Sequence, residues 1–182
     1  MTYYGSKELA ASFRTVRNNT LTIANEIPED KYSFSPAPGC RTVGQTLVHI
    51  AVGWRLQNHI HIVEHLSDLS KLDFFAFLGK QLAEEQVPRT KAKIIELLKA
   101  EGDKAEAMLA GLSEATLAEI VTYPPGMTPP TKSRFEMVMA IKEHEMHHRG
   151  QLMTAERMLG LKPHLTRQME ERIAQMQPAA KA

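Results

Sequence analysis

The sequence of 182 residues is long enough for a single domain, and its 22 Lys and Arg against 21 Asp and Glu residues give a formal net charge of +1. This balance excludes the strongly basic surface typical of nucleic-acid-binding proteins. The single cysteine, Cys40, excludes an internal disulfide framework and is interpreted as a free structural thiol. Without a signal peptide or a run of ~20 apolar residues, we expect a cytoplasmic protein that does not span a membrane.

Four long helices are predicted between clusters of proline and glycine. Five apolar residues of the first lie within ~40° of one line at ~100° per residue: Leu9, Phe13, Val16, Ile23 and Ile27. The second helix covers roughly 42–66, with Thr42 as its N-cap. The third covers roughly 90–112 and the fourth roughly 132–159, ending at Gly160.

An all-α four-helix bundle is the predicted fold, because no segment alternates apolar and polar residues in the manner of a strand. We therefore expect no β-strands. Residues 1–182 are treated as one domain with a core of about 5–160. The C-terminal extension, 161–182, is predicted to add a short helix from 164 onward.

The segment "EHEMHHRGQL" (143–152) is unusually rich in histidine. Relative to Ile141 on the fourth helix, His148 lies within ~40°, His144 at ~60° and His147 at ~120°. His144 and His148 therefore share the inward side, and their four-residue spacing allows both rings to bind one metal ion. The alternative is a pair of partly buried histidines that are hydrogen-bonded to their neighbours.

A third ligand is not identified by periodicity. The second helix carries four histidines: His49, His59, His61 and His65. His61 and His65 follow its strongest apolar stripe and could form a site of their own. His49 lies nearly opposite Leu47, on a second face that is buried only if the helix packs on two sides.

The same segment also spells His-Glu-x-x-His, the zinc-protease signature in which Glu145 would act as general base. Gln151, Thr154 and Gln168 occupy positions where the known protease classes need other residues, so this interpretation is disfavoured. Glu145 could instead orient a ligand histidine, accept a proton, or pair with Arg149 one turn away.

Two segments together resemble the DinB/YfiT-like family of four-helix-bundle metalloproteins, which are unrelated to the DNA polymerase called DinB. These segments are "PAPGCRTVGQTLVHIA" (36–51) and "HEMHHRGQL" (144–152). The resemblance implies a divalent metal, zinc or nickel, bound by His49, His144 and His148. It also implies that His59, His61 and His65 are surface or interface residues.

Three neutral imidazoles would leave a divalent ion with its full charge and, in tetrahedral geometry, one open position. The resemblance implies a transferase or isomerase that uses a low-molecular-weight thiol, such as bacillithiol, mycothiol or glutathione, against a small electrophile. Two alternatives stay open: a hydrolase that uses metal-bound hydroxide, and a non-catalytic metal-binding or interaction protein. The resemblance and the ten methionines together predict a homodimer.

Overall fold

The computed structural model describes residues 4–176, which are mostly helical. In chain order the helices and strands are α1 (Ser6–Glu26), α2 (Val43–Val52), α3 (Arg55–Asn58), α4 (Phe74–Glu85), α5 (Lys91–Gly111), α6 (Glu114–Ala118), β1 (Ile120–Thr122), β2 (Thr131–Ser133), α7 (Arg134–Met158) and α8 (His164–Met176). Short 3₁₀ turns cover Glu29–Lys31 and Leu69–Lys71, and a π-helical turn covers His59–Val63.

The bundle consists of α1, α2, α5 and α7, and the predicted all-α four-helix bundle is confirmed. Both α1 and α2 pack against α5 and α7, so α2 lies diagonally across the bundle from α1. One part of the core joins Ile23, Leu47, Leu98 and Leu152, which come from the four different helices. Burial of these apolar stripes is the main force that holds the helices together.

Capping boxes fix the N-terminal ends of α2 and α7. Thr42 accepts a hydrogen bond from the backbone N–H of Gln45, as predicted, and the Gln45 side chain accepts one from the backbone N–H of Thr42. Ser133 and Glu136 make the same reciprocal pair at the start of α7. Such caps satisfy N–H groups that have no partner within the helix.

The predicted second helix is not continuous. Regular α-helix ends at Val52, a turn follows at Gly53, and α3 leads into the π-helical turn His59–Val63. A π-helical turn contains an extra residue, so it rotates the later side chains relative to the apolar stripe of α2. The ~100° count of a regular α-helix therefore does not apply through this turn.

Two features were absent from the sequence-based prediction. Helix α4 was missed because only Glu85 among its residues is buried, so it has no buried apolar stripe. The expectation of no strands was wrong, since β1 and β2 form an antiparallel pair before α7. Each strand has three residues, too few for an alternating pattern to be recognised.

The C-terminal extension begins with α8, which packs against α1. This confirms a short helix from residue 164, although residues 177–182 of the predicted extension lie outside the described residues. Within residues 4–176, no helix has the length and apolar character needed to cross a membrane.

A buried carboxylate on α7 should make stability depend on pH. Glu156 is fully buried and neither of its oxygens has a hydrogen-bond partner. Burial, with Glu26 nearby, raises the pKa of Glu156 to about 7, although Arg167 and Arg157 oppose the shift. An unfolded chain releases this proton near pH 4.5, so the folded state loses stability as pH rises from 4.5 to 7.

We expect Glu156→Gln to be more stable than the native protein at pH 8, by up to about 3 kcal/mol. The advantage should disappear below pH 4.5, where the carboxyl is protonated in both states. Urea unfolding across this pH range measures the difference. Glu143→Gln, an exposed position on the same helix, is the control and should leave the profile unchanged. A constant difference between Glu156→Gln and the native protein at all pH values would contradict the prediction.

Candidate metal centre

Three histidine rings from two helices meet at the α2–α7 contact. His49 lies in the last turn of α2, and His144 and His148 lie one turn apart on α7. The Nε2 atom of His144 is 2.8 Å from Nε2 of His49 and 3.2 Å from Nε2 of His148. The structure thus brings together all three residues predicted as ligands, while their binding of a metal stays a prediction.

In two of the rings, the hydrogen-bond partner of Nδ1 determines which ring nitrogen carries the proton. His49 Nδ1 lies 2.6 Å from Oε1 of Glu85, and His148 Nδ1 lies 2.8 Å from Oε1 of Gln151. Both oxygens are acceptors, so each neutral ring donates through Nδ1 and presents a lone pair at Nε2. These lone pairs point toward the place where the three rings meet.

All three rings are held in the neutral form at neutral pH. Burial, together with the adjacent His148 and His49 rings, lowers the pKa of His144 to about 3. Burial also lowers the pKa of His148 to about 4, although its hydrogen bond to Gln151 opposes the shift. The pKa of His49 is lowered chiefly by burial as well, against the effect of Glu85. Neutral imidazole is the form that binds metal ions.

The spacing of these nitrogen atoms fits a divalent ion. Tetrahedral zinc with Zn–N bonds of about 2.0–2.1 Å needs ligand nitrogens roughly 3.3 Å apart. The ligand atoms of the three histidines all lie within 4.8 Å of one another. Three nitrogen donors, two with Nδ1 held by an acceptor, are a suitable set for zinc or nickel.

Gly53, just after α2, leaves room for the His144 ring. A Cβ atom at this position would lie 2.8 Å from Cε1 and 3.1 Å from Nδ1 of that ring. Contacts this short would force the imidazole to move. Glycine is therefore required here by close approach of the ring, since its φ of −58° is ordinary for a helix.

Glu145 faces away from the histidine cluster. Its two carboxylate oxygens accept hydrogen bonds from Arg17 Nε and Nη2 at 2.9 Å, and both side chains are buried. Of the roles left open for Glu145, the pairing with Arg149 is wrong, because the buried carboxylate pairs with Arg17 of α1. The His-Glu-x-x-His match therefore supplies no general base, which removes the main support for the protease interpretation.

The other histidines lie outside the cluster. His147 is exposed, in agreement with its helical angle, and its Nε2 atom contacts the Gln151 side chain. His65 is exposed and pairs with Glu119, whereas His59 is partly buried beside Phe77.

The prediction that His61 is a surface or interface residue was wrong. It is 1% exposed, and it accepts a hydrogen bond from Arg134 while lying 2.9 Å from Oε1 of Gln57. Its burial agrees with the place of His61 along the apolar stripe of the predicted second helix, and its contact with Arg134 is at the start of α7. Burial and the Arg134 charge lower the pKa of His61 to about 4.

A cavity of about 730 Å³ opens beside the cluster, and His148 forms part of its wall. Glu85, Arg41 and Gln151 also line it. None of these three was singled out as functional from the sequence, and Glu85 belongs to a helix that was not predicted. Cys40 is a free thiol, as predicted, and it lies exposed on the cavity wall.

Comparisons with known proteins agree with this architecture. The YjoA protein of Bacillus subtilis strain 168 is 26% identical over 155 residues, covering 85% of this chain and 91% of YjoA. The crystal structure of YjoA, a DinB-like protein, matches with a TM-score of 0.60 at 22% identity, covering 84% of this chain and 92% of that chain.

A second solved structure is that of YfiT from Bacillus subtilis. It matches with a TM-score of 0.65 at 13% identity and covers 89% of this chain and 91% of that chain. YfiT is described as a probable metal-dependent hydrolase with an unusual four-helix bundle topology. The likeness at this level of identity concerns the fold.

The sequence profile of the DinB superfamily matches residues 12–152, which include the α2–α7 contact and all three clustered histidines. This match covers most of the chain. The protein is therefore a member of the DinB superfamily.

Proposed function

We propose that this protein is a divalent-metal-dependent enzyme that uses a low-molecular-weight thiol to conjugate or isomerise a small electrophile. The observation that supports a metal-dependent reaction is the convergence of three imidazoles beside a cavity whose wall includes His148. His49, His144 and His148 would hold the ion, with zinc or nickel as the expected metals. When bound, the ion would favour the thiolate form of a thiol at neutral pH.

The hydrogen bonds around the cluster would orient two of these ligands. Glu85 holds His49 through Nδ1, and Gln151 holds His148 in the same way. Such partners fix the ring orientation and raise the basicity of the ligand nitrogen. The chain thus provides a three-nitrogen site beside the cavity, with two of its rings held by hydrogen bonds.

The cavity wall favours a thiol nucleophile over water. Among the described lining residues Glu85 is the only carboxylate, and both of its oxygens are engaged by His49 and Arg41. Glu145 is bound by Arg17 on the other side of α7. A hydrolase usually needs a free group to move protons between water and the leaving group, whereas a thiol that loses its proton on binding does not.

In conjugation, the thiolate sulfur forms a bond to the electrophilic carbon while the leaving group departs with the electron pair of its former bond. The thiol proton goes to solvent. No cysteine of the chain is needed, because the small thiol supplies the sulfur. A hydrolase is the second candidate function, and it is favoured by the fold shared with YfiT, which is described as a probable metal-dependent hydrolase.

We expect turnover of an aryl halide to require both the metal and one of the three thiols bacillithiol, mycothiol or glutathione. His148→Ala should lower this activity at least about 100-fold, because it removes a ligand from the metal site. Cys40→Ala should retain full activity, although this residue lies on the cavity wall. Steady-state rates with each thiol, for metal-loaded and chelated protein, provide the measurement.

Two outcomes would change the assignment. Metal-dependent cleavage of model esters or amides without any thiol would favour the hydrolase. Loss of activity in Cys40→Ala would show that the protein provides its own nucleophile and would overturn the use of an external thiol. The homodimer and the cytoplasmic location stay predictions alongside this function.

A further inference from the structure

Arg41 is the one cationic side chain among the described residues that line the cavity. Its Nε atom donates to Oε2 of Glu85 at 2.5 Å, and its Nη2 atom lies 3.4 Å from Oε1 of the same carboxylate. Within the described part of the chain, Nη1 makes no hydrogen bond. The side chain is 35% exposed, so this unused edge of the guanidinium is accessible to a ligand in the cavity.

The charge of the cavity favours an anion. Arg41 and Glu85 are the only charged residues in the described cavity wall, and their charges cancel. Imidazoles bind a divalent ion in their neutral form, so an ion held by the three histidines would add its full charge without compensation. This step rests on the proposed metal-dependent function. The inner end of the loaded cavity would then have a net charge of about +2.

The position of Arg41 connects it to the metal centre through one carboxylate. Glu85 accepts from Arg41 on one side and contacts His49 Nδ1 on the other. Arg41 and His148 of the cluster also line the same cavity. Val43, Leu82 and Leu152 provide apolar surface in the same cavity.

We propose that Arg41 binds an anionic group of the thiol substrate that occupies the metal site, and that this thiol is a small molecule with a carboxylate or phosphate at its other end and an apolar portion. Arginine is suited to this role because its planar guanidinium donates parallel hydrogen bonds to both kinds of group. The same residue keeps its contact with Glu85 through Nε. Arg41 therefore determines which small molecules bind productively.

The test compares two thiols of similar size with cobalt-loaded protein. One is 3-mercaptopropionate, which has a carboxylate, and the other is the neutral 3-mercaptopropanol. Absorption from thiolate bound to cobalt reports the dissociation constant of each thiol without any turnover. In the native protein we expect the acid to bind about tenfold or more tightly than the alcohol, as a charge-assisted hydrogen bond predicts.

Arg41→Gln should remove this preference, bringing the ratio of the two dissociation constants close to one. The neutral thiol is the internal control, because a disturbed Glu85–His49 contact would weaken both thiols equally. Arg55→Gln is the matched variant: its side chain is 36% exposed and pairs with Glu84 and Glu101, and it does not line the cavity. This variant should keep the native ratio.

The possible failures are distinguishable. If Arg41→Gln binds cobalt and still prefers the acid to the alcohol as the native protein does, the role of Arg41 is overturned while the proposed function stands. Equal weakening of both thiols in that variant would also overturn that role, since Arg41 would then act only by positioning Glu85. Protein that binds no cobalt, or cobalt-loaded protein that shows no thiolate absorption, would contradict the proposed function and this inference together.

Discussion

His49→Ala is expected to remove most of the divalent metal that copurifies with or is added to the native protein. The variant keeps only the two nitrogen donors of α7, at His144 and His148. Loss of a hydrogen-bond partner of a ligand typically costs about 10–100-fold in metal affinity, and loss of the ligand itself should cost more. Elemental analysis after dialysis, with calorimetric titration of zinc and nickel, measures the effect.

The control is His147→Ala, which removes an imidazole of α7 from an exposed position outside the cluster. It should bind about one metal ion per chain, as the native protein should. His61→Ala is also expected to keep its metal, but it additionally breaks a buried contact with Arg134. Equal metal content in His49→Ala and the native protein would refute the three-histidine assignment.

The helices whose apolar residues follow one face were predictable from the sequence alone. All five stripe residues of α1 are buried, and the stripe of α7 correctly separates inward His148 from exposed His147. These predictions succeeded because a regular α-helix fixes the direction of each side chain relative to its neighbours. No partner helix has to be known for that argument.

The partners of the histidines could not be predicted in the same way. Glu85 contacts His49 across 36 residues of chain, and it comes from a helix with no buried apolar stripe. Arg17 and Glu145 are separated by 128 residues. Contacts of this kind depend on how the helices are arranged around the core, and one sequence carries no local signal for them.

His49 shows that helical periodicity does not always predict whether a single residue is buried. Periodicity left its face undecided, because that face is buried only when α2 packs on two sides. The structure places α2 against α4 and α7 as well as α5, so nearly all of its residues are buried. The resemblance to the DinB/YfiT-like family selected His49, where the pattern of the helix alone could not.

Arg17→Met is expected to cause the largest loss of stability among the substitutions considered. Arg17 and Glu145 are 4% and 1% exposed, and the guanidinium also donates to the backbone carbonyls of Leu98 and Ile50. It therefore connects α1 to α7, α5 and α2. Methionine would leave the Glu145 carboxylate buried without a cation, which costs about 3–5 kcal/mol.

For a domain of this size, such a loss corresponds to a fall of roughly 10 °C in Tm. Urea unfolding and calorimetry of the native protein and variant measure it. Lys93→Met is the control, because Lys93 lies on α5, one of the helices that Arg17 contacts, and both members of its pair with Glu96 are exposed. Removal of an exposed pair should cost at most about 1 kcal/mol.

The double variant Arg17→Met with Glu145→Met distinguishes two costs in the free energy of unfolding. One is the loss of the ion pair, and the other is the burial of the Glu145 carboxylate without a cation. The double variant removes both ions, so no unpaired carboxylate remains, and it should be more stable than Arg17→Met alone despite having one more substitution. Metal binding by the folded double variant should persist, because Glu145 faces away from the clustered histidines. A double variant less stable than Arg17→Met would contradict the prediction, because the isolated Glu145 carboxylate would then cost less than its replacement by methionine.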